Sequence, residues 1–317
     1  MDREPLPRLD TAPELAARLL PYCRLGRGEI WEDTVRGHRV GVLDATSMAE
    51  VERLVGERRA RLVMSDPPYN LAVGGRSSGR LFQTDLAGYL DFSRRWVESA
   101  RRILGADSHL YVWLGADQNR NFQPLPDFML LMRDSPELRS RSFISVRNQR
   151  GYGTQANWMS VRQELLCYVK GDPPFHVVYT GIPKILRGYY KEVGGRRTEN
   201  LERSRSETIR PGNIWVDIQQ VFYRMEENVP GAYAQKPLAA VERIVRSSSE
   251  EGALVVDFFA HSGTALIAAE RLGRVCYTFD IDPLFAELTI RRLERFRSEG
   301  KTGFQTANPF PELHSSS

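Results

Sequence analysis

The segment Val255–Asp282, VVDFFAHSGTALIAAERLGRVCYTFDID, reads as strand, turn, helix and strand. An apolar run ends in Asp257, a short turn carries His261, Ser262 and Gly263, and TALIAAERLG has helical spacing. VCYTFD is then a second strand closing on Asp280. Such a unit belongs to a parallel sheet, and its layout suits a nucleotide-type cofactor. The turn brings backbone close to a ligand, and an acid roughly 20 residues on can hold ribose hydroxyls. The Gly-x-Gly-x-x-Gly fingerprint is absent, so a turn that merely joins strand to helix reads equally well here.

Working outward, the same alternation runs through most of the 317 residues. RVGVLDA (39–45), ARLVMSD (60–66), SHLYVWLG (108–115), SFISVRNQ and QELLCYVKG read as strands. MAEVERLVGER, LAGYLDFSRRWVESARRIL (86–104), PLAAVERIVRSSS and PLFAELTIRRLERFRSEG read as helices. Strands alternating with helices predict an α/β fold, a mostly parallel sheet with helices on both faces. The rhythm fades between Asp172 and Tyr233, a basic, aromatic and glycine-containing stretch. The first thirty or so residues and the tail after Gly300 are expected to be peripheral additions rather than core.

Composition, at 41% hydrophobic and 26% charged, is that of an ordinary globular protein. No apolar run approaches the ~20 residues of a membrane span, and the first residues begin no signal peptide, so no membrane partner is expected. Cys23, Cys167 and Cys276 are scattered and match no metal-ligand spacing. A reducing cytoplasm and no metal are the expectation. A net charge of +4 permits a nucleic-acid partner without demanding one.

A second strand end is sharper. In RLVMSDPPYNLAVGG (61–75) the strand stops at Ser65 and Asp66-Pro67-Pro68-Tyr69 follows. Two prolines fix the backbone and remove two N–H donors, leaving carbonyls to face the space beyond the strand. Asp66 and the Pro67 carbonyl then form paired acceptors, and Tyr69 offers a flat stacking face. That set fits a planar group bearing an NH2. Alone it would also suit a Pro-Pro turn with a surface acid and a packed tyrosine; its company with the 255–282 segment favours the chemical reading.

Asp-Pro-Pro-Tyr, then Gln235-Lys236-Pro237, then VVDFFAHSGTALIAAERLGR, in that order, resembles the beta-class S-adenosylmethionine-dependent DNA amino-methyltransferases. The likeness spans most of Arg39 to Arg297. It implies a Rossmann-like methyltransferase sheet with permuted motif order plus a target-recognition insert. The chain would divide into an N-terminal extension (1–37), a catalytic half with the tetrapeptide (38–171), the insert (172–233), a cofactor-binding half (234–300) and a C-terminal tail (301–317). By resemblance, Asp66, Pro67, Pro68 and Tyr69 are catalytic. Asp44, Lys236, Asp257, Phe259, Ala260, His261, Ser262, Gly263, Thr264 and Asp280 would hold S-adenosyl-L-methionine, with Asp44 near its adenine and Asp280 on its ribose. Arg76 and Arg80 in a glycine-rich loop, Arg162, and Arg187, Arg196 and Arg197 in the insert are candidates for double-stranded DNA. An idle or solvated loop remains the alternative for the loop arginines, and core packing the alternative for the neighbouring Trp158.

The chemistry implied is transfer of a methyl group to the exocyclic amine of a flipped base. Adenine N6 is preferred over cytosine N4, because many cytosine N4 enzymes carry serine where Asp66 stands. Carbon methylation would need a cysteine after a proline, and none is present. RNA or protein-amide methyltransferases normally have the reverse motif order, and a non-catalytic DNA-binding relative is the rival from another class. A homodimer, a cognate restriction endonuclease and a nucleoid-associated location in the bacterial cytoplasm are compatible with the resemblance. Two departures concern the cofactor side. His261 stands where the family has a glycine, with an outward ring the expectation, and Ala232-Tyr233-Ala234 stands where His-Pro-Thr is usual.

Overall fold

The computed structural model describes residues 9, 12–68, 86–115, 124–152, 155, 158–183, 190–199, 206–233, 235–305 and 307–314. In chain order these form α1 (Pro13–Leu19), β1 (Ile30–Glu32), β2 (Arg39–Val42), α2 (Met48–Val55), β3 (Ala60–Ser65), α3 (Leu86–Ile103), β4 (Leu104–Leu114), α4 (Pro124–Arg133), β5 (Arg139–Tyr152) and β6 (Ser160–Lys170). They continue with β7 (Tyr190–Val193), β8 (Arg196–Glu199), β9 (Ile214–Trp215), α5 (Leu238–Ser248), β10 (Leu254–Asp257), α6 (Thr264–Arg271), β11 (Val275–Asp280) and α7 (Pro283–Glu299). α1, β1, α4 and β7 to β9 join the elements expected from the sequence. Among the described residues no helix is long and apolar enough to cross a membrane.

The main sheet has the order β1-β2-β11-β10-β3-β4-β6-β5-β9. Its centre, β2 to β4, is parallel throughout, and β6 turns antiparallel against β4. From β3 the chain moves outward to β4, whereas from β10 it moves the opposite way to β11. The order therefore reverses between β3 and β10, and open α/β sheets hold ligands at such a reversal. Register fixes what meets there. Asp257 pairs with Met64 and Ser65 with Val112, so Asp66 and Trp113 leave neighbouring strands at one level, two residues beyond Asp257 on the same face of the sheet.

Period-two alternation distributes the strand side chains to two faces. Leu62, Met64, Tyr111, Trp113 and Val255 pack with Leu238, Val241 and Ile244 of α5, Ala265 and Leu266 of α6, and Ile290 and Leu293 of α7. Val63, Leu110, Val112, Leu254 and Val256 pack on the other side with Val51 and Leu54 of α2, Trp96 of α3 and Phe128 of α4. Each strand is buried on both faces, which is why it reads as an unbroken apolar run.

The ends of the chain correct the expectation of peripheral additions. Leu9, Leu19, Phe304 and Phe310 are buried against Leu284, Phe285 and Leu288 of α7 in a third apolar cluster. Arg24 pairs with Glu287 at 3.1 Å and Arg291 with Glu312 at 2.9 Å, bracing both ends to the same helix. Local polarity conceals this, because only an occasional apolar residue in each segment faces α7. Within 172–233, β7 and β8 form a separate antiparallel ribbon. β9 joins the main sheet beside β5, and Trp215 and Ile218 enter the first core.

Candidate active site

A cleft of about 390 Å³ opens over the carboxyl ends of β3, β4 and β10. Its walls include Ser65, Asp66, Trp113, Lys236, Asp257, Phe259, Ala260, His261, Ser262 and Thr264.

Asp66 is partly exposed at the end of β3, with Pro67 buried behind it. Tyr69 lies outside the described residues. Lys236, a candidate for the cofactor, sets its Nζ 2.5 Å from Asp66 Oδ2 and 5.5 Å from the centroid of the Trp113 ring. Gln235 anchors the lysine's neighbourhood by accepting from Val229 N (3.0 Å) and donating to Glu227 O (2.8 Å). Pro237 then caps α5. Asp257 is buried and accepts from Thr278 Oγ1 at 3.3 Å. Burial, reinforced by the charge of Asp66, pushes its carboxyl up to about 8. Ser65 Oγ is fully buried and has no hydrogen-bond partner among the described residues, an orphan that a bound polar group would satisfy.

The turn after β10 is shaped by backbone rather than by glycines alone. Ala260 N donates to Phe279 O and Gly263 N to Ala260 O. His261 has φ of 43°, and among the described residues it is the one non-glycine in the left-handed region. Its N–H donates to Asp280 Oδ2 at 3.0 Å, and its ring lies 4.8 Å from that of Phe285 on α7. The outward, solvent-facing histidine expected from the sequence is thus corrected: the half-buried ring lines the cleft and packs on α7. Burial pushes the carboxyl of Asp280 up to about 7. Phe259 is held edge-on by Trp96, with centroids 6.0 Å apart.

Two candidates have other local roles. A Cβ on Gly263 (φ 73°) would meet Thr289 Cα at 3.0 Å, so this glycine lets α6 start hard against α7. Asp44 follows β2 near Asp280, since Leu43 N donates to Asp280 O, and its Oδ1 accepts both Thr46 N and Thr46 Oγ1 at 2.8 Å. Neither residue lines the cleft.

Several contributors escaped the sequence reading. Arg292 is wholly buried on α7. It donates to Ser262 O (2.6 Å), Thr264 Oγ1 (3.0 Å), Thr302 O (2.6 Å) and Glu227 O (3.3 Å). It thereby ties the cofactor-type turn to the loop before Gln235, and burial lowers its pKa to about 10. Ser65 and Trp113 were also missed. In sequence an arginine on an amphipathic helix looks like surface, and a tryptophan in a strand looks like core.

Of the DNA candidates, Arg76, Arg80 and Arg187 lie outside the described residues. Arg162 is exposed on β6, 2.8 Å from the buried Glu164 carboxylate. Arg196 is exposed at the start of β8, after a turn in which Gly194 and Gly195 have φ of 62° and 73°, and Arg197 follows in the same strand. Trp158 is 93% exposed, which removes core packing as its explanation.

The profile of the DNA methylase family matches residues 60–291. The chain belongs to this family. Its range begins with the first residue of β3 and ends within α7, so it covers the whole cleft. The family includes N6-adenine and N4-cytosine enzymes. Among relatives, the type II methyltransferase M.HpaI of Haemophilus parainfluenzae is 26% identical over 75% of this chain and 69% of that protein. The DNA adenine methyltransferase YhdJ of Escherichia coli (strain K12) is 26% identical over 80% of this chain and 82% of that protein. The Thermus thermophilus protein TTHA0409, solved as a complex with S-adenosyl-L-methionine, superposes with a TM-score of 0.53. That alignment has 24% identity and covers 83% of this chain and 96% of that one, a likeness of fold.

Proposed function

We propose that this DNA methylase transfers a methyl group from S-adenosylmethionine to N6 of an adenine flipped from a specific site in duplex DNA. The observation that carries the reading is the meeting of Asp66 and Asp257 in one cleft across the reversal point of the sheet. The residues present fit the methyl donor. An orphaned Ser65 Oγ and a buried Asp257 carboxyl pushed up to about 8 are what a polar, positively charged ligand would satisfy. Bound there, S-adenosylmethionine supplies a methyl carbon whose bond to sulfur breaks while sulfur keeps the electron pair.

An exocyclic amine is a poor nucleophile because its lone pair is delocalised into the ring. Asp66 and the Pro67 carbonyl would accept its two N–H bonds, favour a pyramidal nitrogen and return the lone pair to it. As the nitrogen–carbon bond forms, the surplus proton leaves by way of Asp66. Positioning and preorganised acceptors provide most of the acceleration. Asp66 favours adenine over cytosine. Residues 172–233, with the β7–β8 ribbon, serve as the target-recognition insert. Work on DNA would take it to the bacterial nucleoid; a sizing column tests for a homodimer, and the flanking genes for a partner endonuclease.

Methylation-aware sequencing of DNA from cells expressing the protein tests the reading. N6-methyladenine in one recurring sequence is expected. N4-methylcytosine would reassign the base, and unmodified DNA together with no calorimetric heat from S-adenosylmethionine would favour a non-catalytic DNA-binding relative.

A further inference from the structure

We infer that Lys236 is a positioning residue for the target-amine acceptor: clamped between the Trp113 ring and Asp66, it orients the carboxylate rather than serving the methyl donor. The inference rests on Asp66 being that acceptor and assigns the lysine's part in its action.

Lys236 is 8% exposed, and its Nζ is 2.5 Å from Asp66 Oδ2. The flat face of Trp113, itself buried on β4, lies under the ammonium at 5.5 Å. Its mounting is firm, because Gln235 is bonded on both sides and Leu238 N donates to the Glu227 carboxylate at 2.8 Å. A long side chain is thus held at its base by α5 and at its tip by a ring and a carboxylate. An ion pair through Oδ2 sets the plane in which Oδ1 points, and a fixed acceptor is what a developing positive nitrogen requires.

Charge gives a second argument. The methyl donor carries a sulfonium, so an uncompensated ammonium in the same small cleft would repel it. Paired with Asp66, Lys236 contributes no net charge, and Asp257, whose carboxyl burial pushes up, is left to face the donor. The pair thereby separates two duties, with Asp66 turned to the base and Asp257 to the donor.

The test is a cycle of the full-length protein, K236M, D66N, D66N/K236M and K236R, on a duplex containing the methylated sequence. We expect K236M to lower kcat roughly 10- to 100-fold, while KM for DNA and the calorimetric Kd for S-adenosylmethionine change by less than about threefold. K236R should recover most of the loss. In the D66N background K236M should have no further effect on kcat, as expected for residues acting through one another. If K236M alone fails to fold, the double variant, which strands no charge, should regain a higher denaturation midpoint, and that recovery reports the pair without catalysis. A large rise in the Kd for the donor with kcat retained would overturn the inference, as would additive losses in the double variant. Wild-type turnover by D66N would instead remove Asp66 from the chemistry, a failure of the underlying reading that the stability cycle does not share.

Discussion

Asp66 shares its carboxylate with a lysine, and this changes which substitution is informative. Replacing it by alanine would strand the mostly buried Lys236 ammonium, a loss of up to about 3–5 kcal/mol, the figure for a fully buried pair, since Asp66 is 23% exposed. Asp66→Asn keeps the shape and a carbonyl acceptor. It should lower single-turnover methylation by roughly 100-fold or more, with the affinity for S-adenosylmethionine nearly unchanged. Activity near wild type in that variant would rule out Asp66 as the acceptor of the target amine's protons. His261 makes an opposite compromise. A left-handed backbone disfavours it by about 1 kcal/mol or more, and its ring contact with Phe285 returns a similar amount, about 0.5–1.5 kcal/mol. His261→Gly should therefore be nearly neutral for stability, whereas His261→Ala keeps the strained backbone and loses the ring. Equal denaturant midpoints for the two variants would refute this account. The left-handed turn was legible through the family's glycine at this position. The ring's seat on Phe285 was not, because Phe285 is 24 residues away along the chain and meets it only when α7 folds back.

At the scale of elements, the β7–β8 ribbon is set apart from the main sheet. Its turn of two positive-φ glycines sits immediately before Arg196 and Arg197. If these arginines meet phosphates, each contributes to counterion release, and removing both should reduce the slope of log affinity against log salt by about 2. Titrations of duplex DNA at several salt concentrations, wild type against the double alanine variant, measure it. An unchanged slope would move phosphate contact away from the ribbon. The strands and helices of the core were legible because each carries its own periodicity. The ribbon was not, since four-residue strands among charged residues have no pattern to separate them from loop.

For the molecule as a whole, the ends of β10 and β11 hold acids that fold into a desolvated place. Asp257 rises from 3.8 to about 8 and Asp280 from 3.8 to about 7, burial being the leading cause in both. Between the unfolded and folded values the native state keeps protons that the unfolded chain has released. These two carboxyls therefore contribute an unfolding free energy that falls as pH rises from about 4 to about 8, opposed between about 4 and 6.5 by His109, which burial holds down at about 4. The depressed carboxyl of Asp33, held low by Arg297 and by backbone N–H donors against the cost of burial, acts in the other direction but only below that window. Asp257→Asn should flatten the decline between pH 5 and pH 8 in denaturant titrations of the ligand-free protein. Parallel declines in wild type and variant would show that Asp257 does not hold the extra proton. A cationic ligand facing Asp257 should also expel that proton, which calorimetry in buffers of different ionisation enthalpy would detect.

What the sequence determined by itself was local in origin. Apolar runs of strand length, helical spacing after them, prolines that silence two donors at Asp66, and the order of the motifs all act over a few residues, and together they specify a parallel α/β sheet with two strand-end sites. The tertiary structure decided how those sites combine. The reversal of strand order between β3 and β10, and a register that sets Asp66 beside Trp113 and two residues beyond Asp257, make one cleft of two motifs 191 residues apart. It also moved Lys236 onto Asp66 and buried Arg292 behind the turn. Ion pairs, desolvation and ring contacts depend on distance in space, and no short-range pattern in a chain encodes that distance.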